Sequence, residues 1–232
     1  MELQILLITA VSIGFIHTLI GPDHYLPFIV MAKARNWSLS KTLGITFWCG
    51  VGHVLGSVVI GIVGVALGIA VQSLEILEGY RGDLASWLLI AFGLAYGVWG
   101  VRIALRRREH VHPHDHEDEH HHHKHHHLGS HSHIHGDEQS ITPWALFVVF
   151  VLGPCEPLIP ILMYPAARGG WMDLFWVALA FGTVTITTMT AIVFVMVKGL
   201  TKIDLSFMER YVHALAGAII AVSGLTIKLF GL

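Results

Sequence analysis

Six side chains that can bind a metal ion or move a proton stand inside apolar stretches: His17, Asp23, His24, His53, Cys155 and Glu156. Four of them fall beside the same dipeptide, since Gly21-Pro22 precedes Asp23-His24 and Gly153-Pro154 precedes Cys155-Glu156. Imidazoles with one carboxylate suit a borderline divalent cation such as nickel, cobalt or zinc better than magnesium or calcium, which prefer oxygen. His17 and His24 are seven residues apart, two helical turns, and share a face if the break between them only bends the axis. Asp23 then points elsewhere unless the backbone unwinds, or caps the half-helix that begins there. His53, between Gly52 and Gly56, is either a further ligand or a hydrogen-bonded packing residue. Glu156 can bind metal, carry a proton or pair with a histidine. Thr185 and Thr187, in a threonine-rich stretch of the second half, either line a hydrophilic path or bond back to their own helix.

The elements that must position these groups are broken helices. Pro22, Pro27, Pro154, Pro157 and Pro160 lack an N–H and clash with the carbonyl four residues back. Residues 3 to 32 as one straight helix would span about 45 Å against a hydrocarbon core of about 30 Å, and a bend at Gly21 removes the excess. Backbone freed at membrane depth is tolerated only where protein, water or a bound ion satisfies it.

Composition makes the setting a bilayer: 54% of residues are hydrophobic and 13% charged, so nearly the whole chain can leave water. Apolar segments run roughly over 3–31, 40–71, 84–105, 142–167, 171–199 and 210–231, each near the ~20 residues a crossing needs. The start lacks a basic segment and a cleavage site, so the first segment reads as a retained helix. Eleven basic residues fall in the first, third and fifth loops, with Arg81, Arg168 and Lys228 opposite. By the positive-inside rule both termini lie outside and the long third loop in the cytoplasm of a prokaryotic plasma (inner) membrane. A net charge of -2 gives no sign of nucleic acid, and no catalytic residues are assigned, so an enzyme is not expected.

At an offset of 132 residues the halves repeat, with Gly21, Pro22, Leu26, Met31, Ala34 and Gly50 falling on Gly153, Pro154, Leu158, Met163, Ala166 and Gly182. The expected fold is therefore an all-α integral membrane protein: six transmembrane helices as two inverted three-helix repeats, each opening with a Gly-Pro-broken helix. The repeats span 1–107 and 142–232, around a histidine-rich loop at 108–141. Gly64/Gly68 and Gly93/Gly97 permit close helix packing within one chain or in a homo-oligomer.

Between His110 and His135 lie fourteen of the eighteen histidines, with Asp115, Glu117, Asp118 and Glu119 interleaved. His120, His121, His122, His123, His125, His126 and His127 form its densest run. Such a tract captures divalent metal in almost any conformation and is too polar to form a core.

The core residues resemble the nickel/cobalt transporter superfamily, with its efflux-permease and urease-accessory-like branches. The family hallmark, a histidine, four residues and Asp-His, resembles His17-Thr18-Leu19-Ile20-Gly21-Pro22-Asp23-His24, here with five intervening residues. The run Gly153 to Pro157 resembles second-half motifs of the urease-accessory-like branch. The resemblance implies a secondary transporter of nickel or cobalt as substrate, with efflux favoured. Alternating access around His17, Asp23, His24 and His53 would be driven by protons, because histidine must deprotonate to bind metal. Export of a sulfur oxyanion or small organic anion, or metal delivery without transport, are the alternatives. A thiol relay is disfavoured because Cys155 aligns with Asp23 while Cys49 aligns with Phe181, leaving no paired cysteines.

The tract yields a direct test. Untagged full-length protein should be retained on immobilised nickel, and deletion of residues 110–135 should abolish that retention.

Overall fold

The computed structural model describes residues 2–106, 138–200 and 206–230. The capture run His120 to His127 lies outside the described residues. The described residues are all-helical: α1 (Glu2–Ile20), a 3-10 turn (Pro22–His24), α2 (Leu26–Ala34), α3 (Leu39–Ala66), α4 (Val71–Arg106), α5 (Glu138–Leu152), α6 (Leu158–Ala167), α7 (Trp171–Leu200), a second 3-10 turn (Ser206–Tyr211) and α8 (Val212–Phe230). Among the described residues, five stretches are long and apolar enough to cross a bilayer: α1, α3, α4, α7 and Glu209–Leu229, which takes in all of α8 but its last residue. Large apolar side chains such as Trp48, Leu55, Trp87, Trp144 and Phe175 point outward, a surface that lipid covers and water would not tolerate. The chain is a multi-pass membrane protein.

The 3-10 turn that separates α1 from α2 begins at Pro22. The matching interruption, residues 153–157, separates α5 from α6. Arg168, at the end of α6, donates to Glu2 at the start of α1 (2.8 Å). Arg35, at the end of α2, donates to the Thr142 hydroxyl at the start of α5 (3.0 Å). The two helix–break–helix units therefore run antiparallel. Ser38 caps α3 by accepting from the Lys41 amide at 3.3 Å. Its other end closes with Gly68 at φ +66, as Gly68 N–H donates to Val65 (3.1 Å) and Ile69 N–H to Gly64 (2.9 Å), the two bonds of a Schellman cap. Gly68 thus ends a helix instead of packing one.

Expected as loop, residues 72–83 are instead the first turns of α4, and Arg81 is not an outer-loop charge. It pairs with Glu78, three residues earlier and fully buried, so the two charges neutralise each other on one helix face and the helix continues through them. In the second half, Thr187 faces outward while Thr185 and Thr188 are buried. Residues two apart point to different sides of a helix, so Thr185 and Thr187 do not share a face.

Helices α4 and α8 pack backbone to backbone through Gly93, Gly97, Gly100 and Gly217. A Cβ on Gly217 would collide with Gly97, and one on Gly100 with Ala214. Such small residues let membrane helices approach closely, here within one chain. Gly217→Val should lower stability by about 1 to 3 kcal/mol, the usual overpacking cost, whereas Gly79→Ala, open to space, should be neutral or stabilising. Thermal unfolding in detergent measures both.

Candidate metal centre

The two breaks face each other. Each Gly-Pro glycine makes room for an imidazole: a Cβ on Gly21 would lie 2.5 Å from His24 Nδ1, and one on Gly153 would lie 3.1 Å from His53 Nδ1. Neither glycine has a positive φ, so close approach and not backbone freedom requires it. The turn carries His24 back over α1, with its ring 4.8 Å from that of His17 and 5.1 Å from that of His53, both edge-on.

Donor atoms of His17, His53 and Cys155 lie within 4.8 Å of one another. His53 and Cys155 are buried and His17 is half-buried. The His53 ring nitrogen Nδ1 sits 3.3 Å from the Phe150 carbonyl. A carbonyl can only accept, so Nδ1 carries the proton and Nε2 presents a lone pair, the arrangement that orients metal-bound histidines. His24 repeats it, with Nδ1 3.1 Å from the Gly21 carbonyl. The Nε2 atoms of His17, His24 and His53 are all buried without a hydrogen-bond partner. Buried polar atoms are ordinarily satisfied, and three such nitrogens beside a thiol fit an ion. Donors around one ion at bonds of about 2.0 to 2.3 Å lie roughly 3.5 Å apart, a contraction within reach of side-chain rotation.

Asp23 stands outside the three-donor set. Its Oδ1 lies 3.4 Å from His24 Nδ1, and neither the 3-10 turn nor α2 has a side-chain cap. Glu156 is exposed and lines, with His17, Gly21 and Pro154, a cavity of about 300 Å³ between the breaks. Thr185 is buried with an unpartnered hydroxyl facing Gly14 of α1. Sequence reasoning placed Cys155 in a second-half site or pathway, apart from His17 and His53; the structure brings its thiol beside them because the second break faces the first.

Sequence reasoning also missed the groups that hold the second break. Arg81 donates to the carbonyls of Val151 (2.9 Å) and Gly153 (3.2 Å) and to the Ser57 hydroxyl (3.2 Å). Glu78 accepts from Ser57 (2.9 Å) and from the Cys155 amide (3.1 Å). The i,i+3 spacing of Glu78 and Arg81 beside an apolar run was the available signal.

Fold and site together define an all-α multi-pass membrane protein with a buried imidazole–thiol centre between two broken helices. A family model described as cytochrome C biogenesis protein transmembrane region matches residues 27–226, and the chain belongs to that family. Neither the curated proteins nor the solved structures yielded a match. The family overturns the likeness to nickel/cobalt transporters, and with it the readings of nickel or cobalt transport and efflux. The likeness rested in part on a motif one residue longer than the hallmark. The longer spacing includes Gly21-Pro22 and the 3-10 turn, which leaves Asp23 outside the donor set while Cys155 completes it.

The two cysteines belong to different packing clusters, Cys49 to one that includes Phe28, Met189 and Val193 and Cys155 to one that includes Leu158, Val177 and Phe181. After treatment with diamide and then unfolding, the chain should still titrate as two free thiols. A loss of both would show that Cys49 and Cys155 join.

Proposed function

We propose that the chain is a membrane redox component of cytochrome c biogenesis, in which one copper ion held by His17, His53 and Cys155 carries the electron. The observation that carries this reading is the convergence of two imidazoles and one thiol within 4.8 Å in a chain of that family. Two histidines and one cysteine are the donor set of copper electron-transfer sites, where the thiolate suits Cu(I) and the imidazoles suit both oxidation states. His24, beside both rings, is placed to limit water at the centre and to offer a further nitrogen.

A c-type haem is attached through a Cys-x-x-Cys-His segment, whose two thiols must be reduced beforehand. Reducing a disulfide takes two electrons. A relay built only of cysteines needs two thiols in reach of each other, and Cys49 and Cys155 belong to separate packing clusters. Copper bound there would supply one-electron chemistry between Cu(II) and Cu(I), with His17, His53 and Cys155 as the residues that hold it, and each disulfide would need two such electrons. The bilayer, with a dithiol donor on one side and a disulfide acceptor on the other, supplies the partners of this reading.

The topology belongs to the same proposal. Antiparallel helix–break–helix units support six crossings arranged as two inverted repeats, with α5 and α6 together making one crossing. With Arg81 inside the protein, eleven basic residues face two on the opposite side, which supports termini outside and the histidine-rich loop in the cytoplasm.

Loaded with Cu(II), the purified full-length protein should show a visible thiolate-to-copper absorption band at one copper per band-forming site. The histidine tract holds no thiol and so cannot produce that band. Cys155→Ser should abolish it, and His53→Ala should weaken copper binding at the band-forming site at least tenfold. Absence of the band from wild type, or its persistence in Cys155→Ser, would overturn the reading. Tight zinc binding without copper would replace the redox role by a structural one.

A further inference from the structure

Buried charge is costly in a membrane protein and marks function by default, yet the metal donors leave one buried ion pair unused. Glu78 is fully buried and Arg81 is half-buried. Both lie on α4, and their partners lie on the second break and on Ser57 of α3. The pair meets both halves of the backbone problem there. Breaking a helix frees carbonyls at the end of one half and N–H groups at the start of the next. Arg81 Nη2 serves the first kind, at Val151 (2.9 Å) and Gly153 (3.2 Å). Glu78 Oε2 serves the second, at the Cys155 N–H (3.1 Å). Ser57 Oγ links the two charges: it donates to Glu78 at 2.9 Å and accepts from Arg81 at 3.2 Å and from the Cys155 N–H at 3.1 Å.

The neighbouring glycines are shaped to the same contact. A Cβ on Gly56 would meet Arg81 Nη2 at 2.7 Å and the Val151 carbonyl at 3.0 Å, and one on Gly82 would meet Pro154 at 2.9 Å. Two helices thus carry both the polar groups and the cleared space that seat the break. A guanidinium is suited to this task because its planar fork reaches two carbonyls at once.

We infer that Arg81, Glu78 and Ser57 form a latch that fixes the backbone of Cys155 and so aims its thiol at His17 and His53. They are positioning residues, since none of them offers a donor to the centre. The inference deepens the reading of Cys155 as the working thiol, and it can be tested without any metal.

In full-length protein carrying Cys49→Ser, Cys155 is the only thiol, and its alkylation by N-ethylmaleimide under native conditions reports how firmly it is held. Arg81→Met should raise the rate at least tenfold, and Ser57→Ala at least threefold, with far-UV circular dichroism and elution volume retained. Arg210→Met is the control for general loosening, because Arg210 Nε donates to the Ala104 carbonyl (2.7 Å) far from the break. It should leave the rate within twofold of the parent. Equal rates for Ser57→Ala and the parent, or an increase in Arg210→Met as large as in Ser57→Ala, overturn the latch. Should Arg81→Met fail to fold, the comparison of Ser57→Ala with Arg210→Met decides alone. A missing copper band in wild type would instead remove the copper reading and leave the labelling result standing.

Discussion

Two interruptions of helical backbone at membrane depth set the terms for everything else in this protein. Hydrocarbon offers no hydrogen bonds, so each carbonyl and N–H released by Pro22 or Pro154 must be satisfied by the protein itself. At the first break the chain does so locally. A 3-10 turn carries the backbone through, with His24 N–H donating to Gly21 (3.2 Å) and Tyr25 N–H to Pro22 (3.3 Å). At the second break local bonds are not enough, and a half-buried guanidinium and a buried carboxylate are recruited from α4. The cost of taking these charges out of water is offset by their pairing and by their bonds to Ser57 and the break backbone.

The chemistry of the site follows from how the breaks are filled. Glycine at each break admits an imidazole against the backbone, so one histidine is drawn to each. The imidazole Nδ1 atoms are used on carbonyls, at Gly21 for His24 and at Phe150 for His53, and their Nε2 atoms are left bare inside the protein. A thiol arrives from the second break because its own amide is held by Glu78 and Ser57. The result is a nitrogen-and-sulfur donor set enclosed by α1, α3 and the α5–α6 break. Such a set favours soft or borderline transition ions over magnesium or calcium. The cavity with Glu156 at its wall is the adjoining open space.

In this chain of the cytochrome c biogenesis family, the two cysteines lie in separate packing clusters, and one of them meets a pair of imidazoles. Cys155 in this view is a ligand whose value lies in its neighbours, whereas Cys49 is a small apolar residue of the core, a common place for an unpaired cysteine.

Much of this was legible in the residues alone. Hydropathy placed the helices in a bilayer, since apolar content and segment length follow from the thickness of hydrocarbon regardless of partner contacts. Gly21-Pro22 and Gly153-Pro154 announced the breaks because proline's missing N–H is a local fact. His17, His24 and His53 stood out because an ionisable group in an apolar run is itself a local anomaly. What only the tertiary structure decided were the relations between distant segments. Cys155 joins His17 and His53 across more than a hundred residues, which no periodicity encodes. Asp23 was expected in the centre and lies beside it, because a 3-10 turn rotates successive side chains differently from the helix it interrupts. Glu78 and Arg81 read as loop, since hydropathy scores each charge singly. Pairing removes most of that penalty, and the partner that makes it possible is a helix break some seventy residues away.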